Sequence, residues 1–142
     1  EAAVLRTGVK VIVLDPWNEI DHRKADGDSL TVYVGNAIRM LKRVAAQFGV
    51  HVMVVAHPTK MRQQDDGTFD VPSLYSISDS ANWANKADLG AVVYRLDENL
   101  TLFRTLKSRY HDQIGRPGQR KLSFSNHSGR FHVQHEADSF LD

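Results

Sequence analysis

The chain has 142 residues, 42% of them hydrophobic and 25% charged, with 18 Lys plus Arg against 17 Asp plus Glu. That length suits one domain rather than two separate cores. The balance excludes a disordered or collagen-like chain and a domain that coats duplex DNA by net charge alone.

No cysteine is present, which removes disulfides, Cys-based zinc sites and thiol catalysis. The longest apolar run is five residues, Val52 to Ala56, against about 18 for a membrane span, so no membrane contact is expected. The first residues hold no basic stretch followed by an apolar one, so no signal peptide is expected either.

In chain order, the first apolar string is V-K-V-I-V-L, Val9 to Leu14. A loop is predicted over Pro16 to Gly27. An amphipathic helix follows, because Leu30, Val34, Ala37, Ile38, Leu41, Ala45 and Phe48 recur at helical spacing. Asp28 or Ser29 suits its N-cap and Gly49 its C-terminal stop. The second string is V-H-V-M-V-V-A, Val50 to Ala56, which completes a βαβ unit of right-handed crossover.

A long loop is expected from His57 to Pro72 and a short helix from Asp79 to Ala87. The third string is L-G-A-V-V-Y, Leu89 to Tyr94. The first three strings are almost continuously aliphatic, which predicts parallel strands buried on both faces under helices. The fourth, L-T-L-F-R-T-L from Leu100 to Leu106, is more mixed and reads as an edge or antiparallel strand. Two shorter runs, Arg120 to Ser125 and Arg130 to Gln134, flank an Asn126-His-Ser-Gly129 turn and read as a hairpin.

In open α/β sheets, ligands bind beyond the carboxyl ends of the strands. The four strings are followed there by Asp15, by His57, by Arg95, and by Lys107 with Arg109. On a parallel sheet these would line one edge with an acid, an imidazole and three cations. Asp15, closing V-I-V-L-D, fits a Walker B acid at magnesium, or an aspartate that turns the chain before Pro16. His57 fits a group that feels a terminal phosphate, or a hydrogen-bonded strand-end histidine. Lys107 and Arg109, two apart, fit a phosphate clamp or arginine finger, or a solvated strand end. His132 and His135 form only a weak metal pair. No Gly-x-Ser-x-Gly element supports a serine hydrolase.

Four blocks in order carry a resemblance: V-I-V-L-D-P-W-N-E-I-D from Val11, V-M-V-V-A-H-P-T-K from Val52, I-S-D-S-A-N-W-A-N-K-A-D from Ile77, and L-K-S-R-Y from Leu106. Together the chain resembles the C-terminal part of the RecA-like ATPase domain of DnaB-type hexameric replicative helicases. Within that family it is most similar to the helicase half of phage primase-helicases and the related Twinkle-like helicases.

The resemblance implies an α/β RecA-like P-loop NTPase core, mostly parallel, with flanking helices and a C-terminal antiparallel hairpin. It implies Asp15 at Mg²⁺, His57 as γ-phosphate sensor, and Lys107 with Arg109 reaching the neighbouring subunit's ATP. More loosely, it implies Arg95 near the adenine. Lys60 and Arg62, with Arg23 and Lys24, are implied to contact single-stranded DNA in the channel of a hexameric ring. The setting implied is a cytoplasmic bacterial or phage replication system.

The chain departs from the family in one respect: a P-loop reads G-x-x-x-x-G-K-[ST], and no Gly-Lys pair occurs in this sequence. Residues 1–142 are therefore expected to be the downstream part of one ATPase domain, from Walker B onward, inactive alone. A RecA- or KaiC-like ATPase and a non-catalytic RecA-like oligomerisation module are the alternatives.

Overall fold

The computed structural model describes residues 2–23, 26–65, 67–77 and 81–134. It divides into two units, Glu1–Asp70 with Leu74–Ala87, and Val71–Ser73 with Asp88–Asp142.

The first unit begins with a short helix, α1 (Ala2–Thr7), and then the strand β1 (Val11–Leu14). Helix α2 (Leu30–Phe48) crosses over to β2 (His51–Val54), which pairs parallel with β1 in register Val11 with His51 to Leu14 with Val54. This is the βαβ unit that the periodicity predicts.

Helix α2 starts where Ser29 Oγ accepts the Val32 N–H at 3.2 Å, satisfying one of the amides that a helix start leaves without partners. It stops at Gly49, whose φ of 59° is left-handed backbone that glycine takes without a Cβ clash. The face that the spacing marks as apolar is the buried one: Val34 is 1% exposed and Ile38 is buried beside it.

The core of this unit gathers Val34 and Ile38 with Trp17 and Trp83. Trp17 sits in a 3₁₀ turn just after β1, and Trp83 lies on α3 (Asn82–Lys86). Their rings meet edge to face with centroids 5.1 Å apart, a geometry that contributes about 0.5–1.5 kcal/mol beyond area burial. His22 and Tyr33 extend the cluster through an Nδ1···OH contact of 3.0 Å. Helix α3 is pinned to α2 by Lys86 Nζ, which donates to the Gly35 carbonyl, and by Asn82 Nδ2, which donates to the Thr31 carbonyl. Gly35 makes that approach possible, since a Cβ there would lie 2.7 Å from Lys86 Nζ and 2.9 Å from Asn82 Nδ2. The predicted start of this helix at Asp79 falls outside the described residues.

The second unit is a four-stranded antiparallel meander in the order β3 (Leu89–Arg95), β4 (Leu100–Ser108), β5 (Gln119–Ser125), β6 (Arg130–Val133). The β5–β6 hairpin forms as predicted. A one-turn helix, α4 (His111–Ile114), lies between β4 and β5. The β3–β4 turn is closed by Asp97 Oδ1, which accepts the N–H groups of Asn99 and Leu100 at 2.8 Å each.

Two expectations are corrected here. β3 joins no parallel pair among the described residues but pairs antiparallel with β4, Leu89 with Ser108 to Arg95 with Thr101. The described sheets are therefore one parallel pair and one antiparallel meander rather than a mostly parallel sheet. β4 lies between β3 and β5 and runs antiparallel to both, the second of the two readings its mixed pattern allows.

Nor are the aliphatic strands buried on both faces. Burial alternates along β1, β2 and β3, leaving Val11, Val13 and Met53 exposed in the first unit, and Val93 67% exposed in the second. An apolar run states that side chains suit a dry environment. It states neither which face is covered nor which way the neighbouring strand runs.

Candidate functional site

Because β1 and β2 are parallel, their carboxyl ends point the same way and the residues after them converge. Val55 N–H donates to the Leu14 carbonyl at 2.8 Å, and Trp17 N–H returns to the Val55 carbonyl at 2.7 Å. The two chains thus stay laced together beyond the strands. Asp15 and His57 are exposed at this end, each at the foot of its own loop.

The lacing ends at Asn18, whose Oδ1 accepts the His57 N–H at 3.2 Å. Sequence reasoning gives Asn18 no role. The available signal is an amide side chain three residues past an acid-terminated strand, able to satisfy a backbone N–H in the adjacent loop. Buried Trp17 holds the first loop down from below. The arrangement fixes an exposed carboxylate and an exposed imidazole on neighbouring strand ends.

The loop after His57 is less open than its length suggests. Thr59 N–H and Oγ1 both donate to the Ser76 carbonyl, at 2.7 and 3.1 Å, and Pro58 bridges to Ile77. A narrow turn follows. Gln63 bridges Phe69 and its Nε2 donates to the Gly67 carbonyl, while Gln64 Nε2 donates to Asp70 Oδ1 at 2.6 Å. Lys60 and Arg62 are exposed on this braced segment, with Arg62 beside a shallow recess lined by Gln63, Gln64, Asp65 and Asp70. Arg23, in the loop after β1, pairs with Asp21 at 3.3 Å with both side chains more than 80% exposed. Lys24 lies outside the described residues, as does His135.

The cations of the second unit separate. β3 and β4 run in opposite directions, so their carboxyl ends lie at opposite ends of the pair. Arg95 stands opposite Thr101, whereas Lys107 stands opposite Gly90 toward the other end, five residues and about 17 Å back along β3. The expectation that every strand-end ion lines one edge therefore fails, because Arg95 and Lys107 lie at opposite ends of one strand pair. The reason is strand direction, which the apolar pattern does not encode.

Lys107 is half-buried near the end of β4. Arg109, just past it, donates its backbone N–H to the Asp88 carbonyl at 2.9 Å, and its Nη1 meets Asp88 Oδ1 at 3.1 Å. Asp88 closes the third sequence block yet received no role from it. Its signal is an acid just before a strand whose partner strand ends in arginine.

Mg²⁺ is commonly held by one or two carboxylates with substrate phosphates and waters, so a single exposed Asp15 suits it. Among the described residues, no group of three or more His, Asp or Glu is placed to hold a metal. The glycine-rich cradle for the phosphates has no counterpart in this sequence. No helix among the described residues is long and apolar enough to cross a membrane.

No protein-family model matches the chain. It is 42% identical over 100 residues to the Twinkle homolog protein, chloroplastic/mitochondrial, of Arabidopsis thaliana, a match spanning 70% of this chain and 14% of that protein. It also superposes on a solved DnaB-like replicative helicase, described with its interactions with primase, at a TM-score of 0.68 and 23% identity. That match covers 85% of this chain and 30% of the other.

The α/β arrangement is thus a RecA-like helicase fold, as the sequence blocks imply. Taken with the plant match, this likeness supports a DnaB-type helicase domain.

Proposed function

We propose that this chain is the downstream part of one RecA-like ATPase domain in an ATP-dependent replicative DNA helicase, from the Walker B strand onward. In the assembled protein, ATP is hydrolysed between the subunits of a hexameric ring, and single-stranded DNA passes through the centre. The observation that carries this reading is the placement of Asp15 and His57 just past the laced carboxyl ends of the neighbouring strands β1 and β2.

In this scheme Asp15 holds the magnesium of the nucleotide, often through water. His57 stands one strand over, where an imidazole can accept or donate a hydrogen bond to the terminal phosphate. Through the Asn18 bond and the Thr59 anchor, a change at His57 bears on both loops, and Lys60 and Arg62 follow within a few residues. Lys107 and Arg109 act on the neighbour's nucleotide, and Arg95 lies, as a looser match, near the adenine base. Arg23 and Lys24 join Lys60 and Arg62 along the strand of DNA. Support for the class comes from the plant relative, a Twinkle homolog, and from the solved neighbour, a replicative helicase that interacts with primase. A cytoplasmic bacterial or phage setting remains part of the proposal; the plant relative's own name places it in chloroplasts and mitochondria.

The test is Arg109→Ala in the full-length protein that carries this segment. Turnover by the assembled ring is expected to fall on the order of 10³-fold, the scale of an arginine finger. Near-normal ATPase would remove Arg109 from the mechanism. His57→Ala should keep nucleotide binding and lose DNA-stimulated turnover; unchanged stimulation would end its sensor role. The purified 142-residue chain alone should hydrolyse no ATP.

A further inference from the structure

We infer that Asp88 is the positioning residue for Arg109. This rests on reading Arg109 as the group that reaches the neighbouring subunit's phosphates.

Two contacts tie Arg109 to this one residue. Its backbone N–H donates to the Asp88 carbonyl at 2.9 Å, and its guanidinium meets the Asp88 carboxylate at 3.1 Å. The main chain and the far end of the side chain are thus both referred to the same point at the start of β3. The surroundings are braced as well. Leu89 pairs with Ser108, the residue before Arg109, and Ser108 Oγ donates to the Gly115 carbonyl at 2.6 Å. Tyr110, the residue after, accepts from Gln113 and Ile114 as α4 begins.

Stability is a poor explanation for this ion pair. Its side chains are 39% and 32% exposed, and pairs so open to solvent contribute little to folding, because water screens them and two side chains lose freedom. Geometry is the better one. A guanidinium is a planar fork of five donors on a flexible stem, so holding its Nη1 on the carboxylate of Asp88, whose backbone carbonyl also holds the Arg109 N–H, restricts where the remaining donors can point. An arginine that must meet a developing charge across a subunit boundary gains most from being aimed beforehand, since small misplacements are costly in rate.

The experiment uses the full-length protein and measures DNA-stimulated ATPase of Asp88→Asn, Asp88→Glu, Arg109→Ala and the double variant Asp88→Asn with Arg109→Ala. Asp88→Asn should lower kcat by roughly ten- to a hundredfold, the scale of a misaimed group, with KM for ATP unchanged. Asp88→Glu, which keeps the charge one methylene further out, should fall between wild type and Asn. The double variant should match Arg109→Ala alone, because a positioning residue has nothing left to position. A merely structural Asp88 would add its own loss.

Wild-type or raised kcat in Asp88→Asn, beside a crippled Arg109→Ala, overturns the inference and leaves the finger standing. Normal turnover in Arg109→Ala overturns the finger and this inference with it. Should Asp88→Asn fail to assemble, Asp88→Glu decides alone: reduced kcat at constant KM supports the inference, and wild-type kcat overturns it.

Discussion

The two units place their chemistry by different means. In the first, a helix and two tryptophans build a small dry core, and a parallel strand pair delivers Asp15 and His57 to the same end. In the second, little among the described residues is buried beyond Thr101 and Leu102, and hydrogen-bonded registers and turns do the placing. Parallel strands gather residues far apart in sequence at one edge, provided a crossover is packed. Antiparallel strands alternate direction, so they separate Arg95 from Lys107 and bring Arg109 to the beginning of β3 instead.

The sharpest way to break this contrast is Trp17→Ala. If the ring cluster organises the first unit, removing it should cost about 3–5 kcal/mol, the range for emptying a buried aromatic site. Chemical denaturation followed by far-ultraviolet circular dichroism, which is dominated by α2, would read that loss. A change below about 1 kcal/mol would mean that the laced strand ends, not the rings, hold Asp15 in place.

Leu102→Ala is the counterpart in the second unit. It is expected to cost about 2 kcal/mol, the low end for such truncations, because few buried neighbours surround it. Amide exchange should quicken first in β3, β4 and β5. A loss as large as that of Trp17→Ala would erase the distinction between a core-built and a ladder-built unit.

Helix α2 is the part most legible in sequence. Its seven spaced apolar residues, its Ser29 cap and its Gly49 stop are all local signals, and all three hold in the structure. The ends of β1 and β2 are legible for the same reason, since a crossover helix between two aliphatic runs dictates a parallel pair. What is not legible depends on partners distant in sequence. Leu89 to Tyr94 reads like the first two strings, yet its neighbour is β4, running the other way. The meeting of Trp17 with Trp83, the acceptance of His57 N–H by Asn18, and the grip of Asp88 on Arg109 all join segments whose local patterns carry no trace of one another. Helix α2 and the ends of β1 and β2 are thus written locally, while the direction of β3 and the aim of each side chain are written in pairing and packing.

Ser29→Ala tests the local signal directly. Loss of the Oγ that accepts the Val32 N–H should cost about 1 kcal/mol and leave the second unit's amide exchange unchanged. If the cost is nil, α2 is held by its buried face alone, and the first unit is core-built to a greater degree than its cap suggests.

The smallest expected effect sharpens the contrast in function. Lys60 and Arg62 stand on the braced loop of the first unit, Arg109 on the second. If the first contacts phosphates of single-stranded DNA and the second acts on a neighbour's nucleotide, their variants should separate cleanly. Lys60→Ala and Arg62→Ala in the full-length protein should each weaken single-strand binding a few-fold whatever the base sequence. Each should also lower the slope of log affinity against log salt by about 0.7, one phosphate contact for a single strand. Arg109→Ala should leave that slope alone. Fluorescence anisotropy with a labelled oligonucleotide across a salt series reads both quantities. A slope that falls for Arg109→Ala but not for Lys60→Ala would move the DNA contacts to the ladder-built unit and take the channel role away from the loop after His57.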